Sequence, residues 1–270
     1  MPAPTAETLA ELLRPLTQAP AEAAVFCDID GTLAPIVQRA DEAKVDERTA
    51  RLLAAIARRY RCCACISGRS AAEARRLVGV GGIVYAGTHG AELLLPSATR
   101  AVLEPEVAAG ADRVRAFTRE HDTRVLRTLR IRIEDKGPIM AFHWRGAPDE
   151  RSARARLEEI AEEAEGRDLH VHWGRKVLEI RPPVEISKGR AVRDLVDRFG
   201  VRTALFAGDD ATDLDAFDAL DELLSAGSLD SGLRVGISSD EGPVEIVERA
   251  DIAVDGVDGF RAVLEALVGS

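Results

Sequence analysis

Short apolar runs alternate with amphipathic stretches through most of the chain, and that alternation predicts strands and helices in turn. Residues 24–29 read as a short buried strand, and 46–59 as a helix with Leu52, Leu53 and Ile56 on one face and arginines on the other. Residues 62–66 form the next strand. Ser70 and Glu73 then make an S-x-x-E capping box that starts a helix running to residue 78. A third strand at 83–86 leads into the loop Gly87, Thr88, His89, Gly90. From about residue 107 the order changes to helix 107–121, strands 129–134 and 139–144, helix 150–165, and strands 169–173 and 177–181. A short polar turn containing Gly joins each strand pair, which signals hairpins, so this stretch predicts a small open sheet with two helices on one face. Beyond Pro182 and Pro183 the first pattern resumes, with helices at 189–199, 213–220 and 243–249, strands at 204–207, 233–237 and 252–254, and a last helix to residue 268. The expected fold is α/β: a Rossmann-like parallel-sheet core from residues 1–106 and 184–270, with an α/β insert at 107–183.

Composition narrows the function. The chain has 270 residues and is 46% apolar, enough for a sizeable core. No apolar run approaches the ~18 residues that cross a bilayer. Residues 1–21 are polar and acidic, without the basic start and apolar centre of a secretion signal, so a cytoplasmic protein is expected. With 36 basic and 46 acidic side chains the net charge is -10, which disfavours nucleic acid or an anionic membrane as partner. An anionic substrate would therefore need positive charge supplied locally. Among the basic residues only Lys44, Lys136, Lys176 and Lys188 are lysines, and a retained lysine marks a place suited to a compact ammonium. Cys27, Cys62, Cys63 and Cys65 have a C-C-x-C spacing that does not fit a zinc knuckle, so they read as buried small hydrophobes.

Three predicted strands end in polar motifs, at the side of a parallel sheet where chemistry collects. These are Asp28-Ile29-Asp30-Gly31-Thr32, Ser67-Gly68-Arg69, and Gly208-Asp209-Asp210-Ala211-Thr212-Asp213. If the strands are neighbours, five carboxylates face one spot. Two like charges ~4 Å apart repel by about 4 kcal/mol at an effective dielectric of 20, so such a cluster calls for a cation. Oxygen ligands without His or Cys suit Mg²⁺. Asp213 also reads as a helix cap. The chain lacks both a P-loop and a G-x-S-x-G elbow. An Asp beside a cation can attack phosphorus itself, which makes Asp28 the candidate nucleophile and Asp30 the candidate general acid and base. Ser67 and Lys188 are candidate donors to the transferring phosphoryl group, Lys188 from a helix start at Ser187-Lys188-Gly189.

With these motifs in their order, the chain resembles the haloacid dehalogenase superfamily of aspartate-nucleophile phosphatases. Asp28 to Ile36, Ser67-Gly68-Arg69, Thr88 to Glu92, Glu134-Asp135-Lys136, His143-Trp144-Arg145, Lys176 to Pro182 and Gly208 to Phe217 resemble, more narrowly, the trehalose-6-phosphate phosphatases. That resemblance implies a core of the haloacid dehalogenase type and an inserted cap. It also implies Mg²⁺-dependent hydrolysis of trehalose 6-phosphate through an aspartyl-phosphate. Mg²⁺ would be held by Asp28, the main-chain carbonyl of Asp30, and Asp209, with Asp210 and Asp213 behind them. Substrate contacts would come from Arg69, His89, Gly90 and Glu92 in the core and from Lys136, His143, Arg145, Lys176 and Glu179 in the cap.

Ile29, Trp144, Ser187 and Leu214 depart from that family's usual residues. A two-hairpin sheet is expected to place Lys136 and Lys176 on one edge, although each also reads as a turn residue and His143 as a core histidine. The expected partner is a phosphorylated disaccharide, and the expected state is a stand-alone monomer. A phosphatase of sucrose 6-phosphate or another sugar phosphate is the neighbouring alternative, and a phospho-Asp signalling module the alternative from another class.

Overall fold

The computed structural model describes residues 4–36, 43–174, 176–239 and 242–269. Helix starts follow the local sequence. Ser70 Oγ accepts the Glu73 N–H at 3.3 Å while Glu73 accepts the Ser70 N–H at 3.3 Å, so both bonds of the capping box begin helix Ala71–Val78. Asp46 accepts N–H bonds from Arg48 and Thr49 and starts helix Glu47–Arg59. Gly200, in the left-handed region at φ 59°, closes helix Lys188–Phe199.

The strands, in chain order, are β1 Ala23–Cys27, β2 Cys62–Ile66, β3 Val84–Gly87, β4 Glu92–Leu94, β5 Val102–Leu103, β6 Arg132–Asp135, β7 Met140–His143, β8 His170–Gly174, β9 Val177–Arg181, β10 Thr203–Gly208, β11 Ser231–Ser238 and β12 Ile252–Asp255. Eight of them form one sheet in the order β12-β11-β10-β1-β2-β3-β4-β5, parallel from β12 through β3, with β4 antiparallel to β3. Every residue of β1, β2 and β10 is buried, which is why these strands read as continuous apolar runs. Successive side chains divide between two cores. Val25, Cys65 and Leu205 meet helices Glu47–Arg59 and Gly256–Gly269 through Leu53, Ile56, Phe260 and Leu264. Phe26, Ala64 and Phe206 meet helices Lys188–Phe199 and Leu214–Ser225 through Val192, Leu195 and Phe217. The four cysteines are free and buried, and burial pushes the Cys62 thiol up to about 12.

The chain divides into two compact units, Met1–Val102 with Ile186–Ser270, and Leu103–Glu185. The second has an antiparallel sheet in the order β6-β7-β9-β8. Met140, Phe142, Leu178 and Ile180 share one face of it and pack on Val114 and Phe117 of helix Pro105–His121 and on Leu157 and Ile160 of helix Glu150–Gly166.

Two differences from the sequence reading are local. The strand expected from residue 129 begins at Arg132, because helix Arg124–Thr128 precedes it and Arg130 turns the chain at φ 53°. The short β4 and β5 were absent from the expected elements. Among the described residues no helix is long and apolar enough to cross a membrane.

Candidate active site

In the parallel sheet β1 lies between β10 and β2, so the chain leaves β1 toward one side and later returns on the other. The crevice beyond the carboxyl ends of strands at such a reversal is where α/β sheets bind ligands. Cys27 is in register with both Cys65 and Ala207, so the next residue, Asp28, emerges between the ends of β2 and β10. Its N–H donates to Ala207 O at 2.9 Å, which fixes where its side chain starts.

Lys188 enters the same place from the first turn of its helix, where Ser187 Oγ accepts the Arg190 N–H. Its ammonium is buried, 3.0 Å from Asp28 Oδ1 and 2.7 Å from Asp213 Oδ1, with Asp210 Oδ1 at 3.8 Å. Asp213 Oδ2 accepts the N–H groups of Asp209 and Asp210 at 2.9 and 3.0 Å. Asp213 thus completes a capping box with Asp210, in keeping with its reading as a helix cap, and is also an ion-pair partner of Lys188, a role the sequence reading did not give it. Asp209 Oδ1 accepts the Thr32 hydroxyl at 3.0 Å. A carboxylate oxygen from each of Asp28, Asp209 and Asp213 lies within 4.8 Å of the others, and all three residues are buried.

These charges are costly where they sit. Burial raises the Asp28 and Asp213 carboxyls against the pull of Lys188, and burial with the charge of Asp213 raises Asp209 to about 7. Burial alone would lower the Lys188 ammonium, but Asp213 and Asp28 carry it well above the ordinary lysine value. Burial also raises Asp210, yet Lys188 and Thr212 outweigh it and hold that carboxyl low. Asp28, Asp209, Asp210 and Asp213 crowd one ammonium, an excess of acidic groups that a divalent cation would offset. The all-oxygen donor set fits a hard one, with Asp28 and Asp209 the side chains less engaged by other donors than Asp213.

Gly31 makes room for this cluster. At φ 89° a side chain is strained, and a Cβ there would stand 2.0 Å from Asp209 Oδ2. Gly31→Ala is expected to cost about 2 kcal/mol or more and to displace Asp209, which thermal denaturation and a crystal structure of the variant would check.

The remaining core candidates lie beside the cluster. Ser67 is buried, and its Oγ accepts the Arg69 N–H at 3.2 Å. Arg69 clamps the Asp30 carboxylate with two bonds of 2.6 Å, so Asp30 differs from Asp28 in having a guanidinium partner. His89, at φ 56°, lays its ring against Gly68, where a Cβ would come within 2.9 Å of it. Gly90 abuts Ala191 of the Lys188 helix, where a Cβ would meet the alanine methyl at 2.6 Å. Glu92 Oε1 accepts the Ala71 N–H at 2.9 Å and the Thr88 hydroxyl at 3.2 Å.

In the second unit, strand alternation puts His143 and Glu179 on the sheet face opposite its apolar core. Lys136 donates to Glu179 Oε1 at 3.0 Å, Arg181 to Glu179 Oε2 at 2.6 Å, and His143 is 2.7 Å from Glu134 Oε2. Burial raises the Glu179 carboxyl, and Arg181 and Lys136 outweigh it and hold it below the usual range. His143 is therefore on the polar face and not in the core. Lys176, at φ 63°, pairs with Glu150 at 2.7 Å, and Arg145 is exposed.

The expectation that Lys136 and Lys176 share one edge is corrected. Because β7 and β9 are antiparallel, with Met140 opposite Ile180 and His143 opposite Val177, the two hairpin turns lie at opposite ends of the sheet. Trp144 packs into the core, edge-on to Trp173 at 5.8 Å. Sequence reasoning did not select Glu134, Glu150 and Arg181, the partners of these side chains. Their spacing to the lysines and the histidine becomes visible only once strand pairing is known.

The chain is similar to known proteins in sequence and in fold. The model of a family described as trehalose-phosphatase matches residues 26–253. A trehalose-phosphate phosphatase of Mycobacterium marinum is 38% identical over 208 residues, 73% of this chain and 51% of that protein. The chain thus spans about half the length of the curated relatives it matches. Among solved structures, the trehalose-6-phosphate phosphatase of Aspergillus fumigatus superposes with a TM-score of 0.69 at 23% identity, covering 100% of this chain and 99% of that one. A haloacid dehalogenase-like hydrolase of Bacteroides thetaiotaomicron gives 0.60 at 15% identity over 91% of this chain and 98% of that one, a likeness of fold.

Proposed function

The chain belongs to the trehalose-phosphatase family, and on that premise we propose that it hydrolyses trehalose 6-phosphate to trehalose and inorganic phosphate. The observation that carries the reading is the buried cluster of Asp28, Lys188, Asp213 and Asp209 at the carboxyl ends of β1 and β10. Its excess of acidic groups suits a site completed by a dication and a phosphate ester.

In this mechanism an Asp28 oxygen attacks phosphorus and the bond from phosphorus to the sugar oxygen breaks. Asp30 gives its proton to that oxygen, and an aspartyl-phosphate remains on Asp28. Asp30 then takes a proton from water, whose oxygen attacks the same phosphorus, releasing phosphate and restoring Asp28. Lys188 and Ser67 donate hydrogen bonds to the phosphoryl oxygens as charge develops on them. Asp28, Asp209 and the main-chain carbonyl of Asp30 would hold Mg²⁺, with Asp210 and Asp213 behind them. When bound, Mg²⁺ neutralises the carboxylates and the phosphate and so lets them approach. Arg69 holds Asp30 in this structure. Substrate phosphate is a competing anion for that guanidinium, and its arrival would free Asp30 to carry a proton. Arg69, His89 and Gly90 in the first unit, and Lys136, His143, Arg145, Lys176 and Glu179 in the second, are the proposed substrate contacts.

Phosphate release from trehalose 6-phosphate, sucrose 6-phosphate and glucose 6-phosphate in Mg²⁺ tests the reading. Trehalose 6-phosphate is expected to turn over fastest, exhaustive chelation to stop the reaction, and added Mg²⁺ to restore it. Equal rates on glucose 6-phosphate would remove the disaccharide specificity, and activity that survives chelation would remove the cation. A long-lived phospho-Asp28 without turnover would point to a signalling module instead.

A further inference from the structure

We propose that Glu92 is a positioning residue: through one carboxylate oxygen it locks the loop carrying Ser67 and Arg69 to a left-handed corner at Thr88 and His89. The proposal deepens the phosphatase reading and rests on it for its kinetic arm.

Strands β2 and β3 are parallel neighbours, with Ile66 in register with Ala86. Beyond their ends the backbone bonding continues from loop to loop. Ser67 N–H donates to Ala86 O at 2.9 Å, Thr88 N–H to Arg69 O at 2.8 Å, and His89 N–H to Ser67 O at 2.9 Å. Reaching these acceptors takes Thr88 to φ 50° and His89 to φ 56°. A β-branched residue such as Thr88 is a genuine outlier there and persists only where its surroundings hold it.

Glu92 supplies that hold. Its Oε1 accepts the Thr88 hydroxyl at 3.2 Å and the Ala71 N–H at 2.9 Å. Ala71 opens helix Ala71–Val78, so its N–H lacks an intrahelical acceptor and Glu92 provides one. The side chain therefore joins the corner to the start of the helix that follows Ser67, Gly68 and Arg69.

The close approaches around the corner show what the lock sets. Gly87 lies so near Ala71 that a Cβ would be 2.1 Å from its nitrogen, the His89 ring presses on Gly68, and Gly90 abuts Ala191 in the helix that begins with Lys188. A shift of the corner would move the Ser67–Arg69 loop on one side and press on the Lys188 helix on the other. These elements carry the proposed phosphoryl donors, whose placement is sensitive to small displacements. Because both bonds go to the same oxygen, a glutamine carbonyl can replace it without the charge.

The test compares Glu92→Ala, Glu92→Gln and Thr88→Val by kcat and KM on trehalose 6-phosphate with Mg²⁺, and by hydrogen–deuterium exchange over residues 67–72. Glu92→Ala and Thr88→Val are expected to lower kcat about 10- to 100-fold with KM changed less than about threefold. Both should also speed exchange at Ala71 about tenfold or more. Glu92→Gln is expected to rescue kcat and protection together. If the glutamine variant loses as much kcat as the alanine variant while exchange stays slow in both, Glu92 acts on substrate by its charge and the proposal is overturned. Exchange unchanged in Glu92→Ala also overturns it. Should Glu92→Ala fail to fold, Thr88→Val and Glu92→Gln decide between the same outcomes. A wild-type protein that releases no phosphate from any sugar phosphate defeats the phosphatase reading, and the exchange comparison still judges the lock.

Discussion

Asp28→Asn is expected to lower kcat by roughly 10⁴-fold or more while leaving the fold intact. The expectation comes from what one oxygen must do. An amide in the same position fills the same space at the end of β1 but is too poor a nucleophile to form the mixed anhydride with phosphorus. Stability should hardly move, because two effects oppose each other. The carboxylate is desolvated, which raises its pKa, so a neutral group removes a cost. The substitution also removes one of the ion pairs of Lys188, but Asp213 remains 2.7 Å from the ammonium. The melting temperature should stay within about 4 °C of wild type, the shift that about 1 kcal/mol produces in a chain of this size. Steady-state phosphate release and thermal denaturation on the same preparation check both halves. A variant that keeps a tenth of wild-type kcat would exclude Asp28 as the attacking group, and a variant that unfolds would show that the ion pair matters more than the cost of burial.

Asp28, Ser67 and Asp209 were legible in the sequence because each follows an apolar run at its carboxyl end. A parallel sheet brings such ends together whatever the connecting helices contain. The Ser70–Glu73 cap was legible for a similar reason, since its pattern spans one helical turn. What the sequence left open depends on contacts between distant segments. The clamp of Arg69 on Asp30 spans 39 positions, and the placement of Lys136 relative to Lys176 required the pairing of β7 with β9. The left-handed Thr88 carries no local signal, because a β-branched residue disfavours that conformation and only the contacts around it impose it. Trp144 shows the same limit from the other side. It lies in the polar motif His143-Trp144-Arg145, which gives no sign of burial, yet it packs in the apolar core of the second unit.

Lys188→Met is expected to abolish turnover and to destabilise the protein by about 3–5 kcal/mol, the usual consequence of stranding a buried charge by removing its partner. The ammonium is 2% exposed and faces three carboxylates, two of them within 3.0 Å. Methionine keeps most of the volume and none of the charge, so the loss reports electrostatics more than packing. The effect should depend on pH in a stated direction. The Asp28 and Asp213 carboxyls already sit above their ordinary values in the folded protein because of burial, and removing Lys188 raises them further. Groups whose folded pKa is raised favour the folded state at low pH and lose that contribution as pH rises through the raised value. The variant's deficit against wild type should therefore grow as pH rises past about 6, where Asp28 titrates in the wild type, and on past about 8, where Asp213 does, and shrink on acidification. Adding Asp213→Asn to Lys188→Met removes one stranded carboxylate and should recover part of the stability and none of the activity. Thermal denaturation across that range, with kcat measured beside it, separates the two roles. A Lys188→Met protein that melts like wild type at every pH would mean that the cluster is neutralised by something other than this lysine.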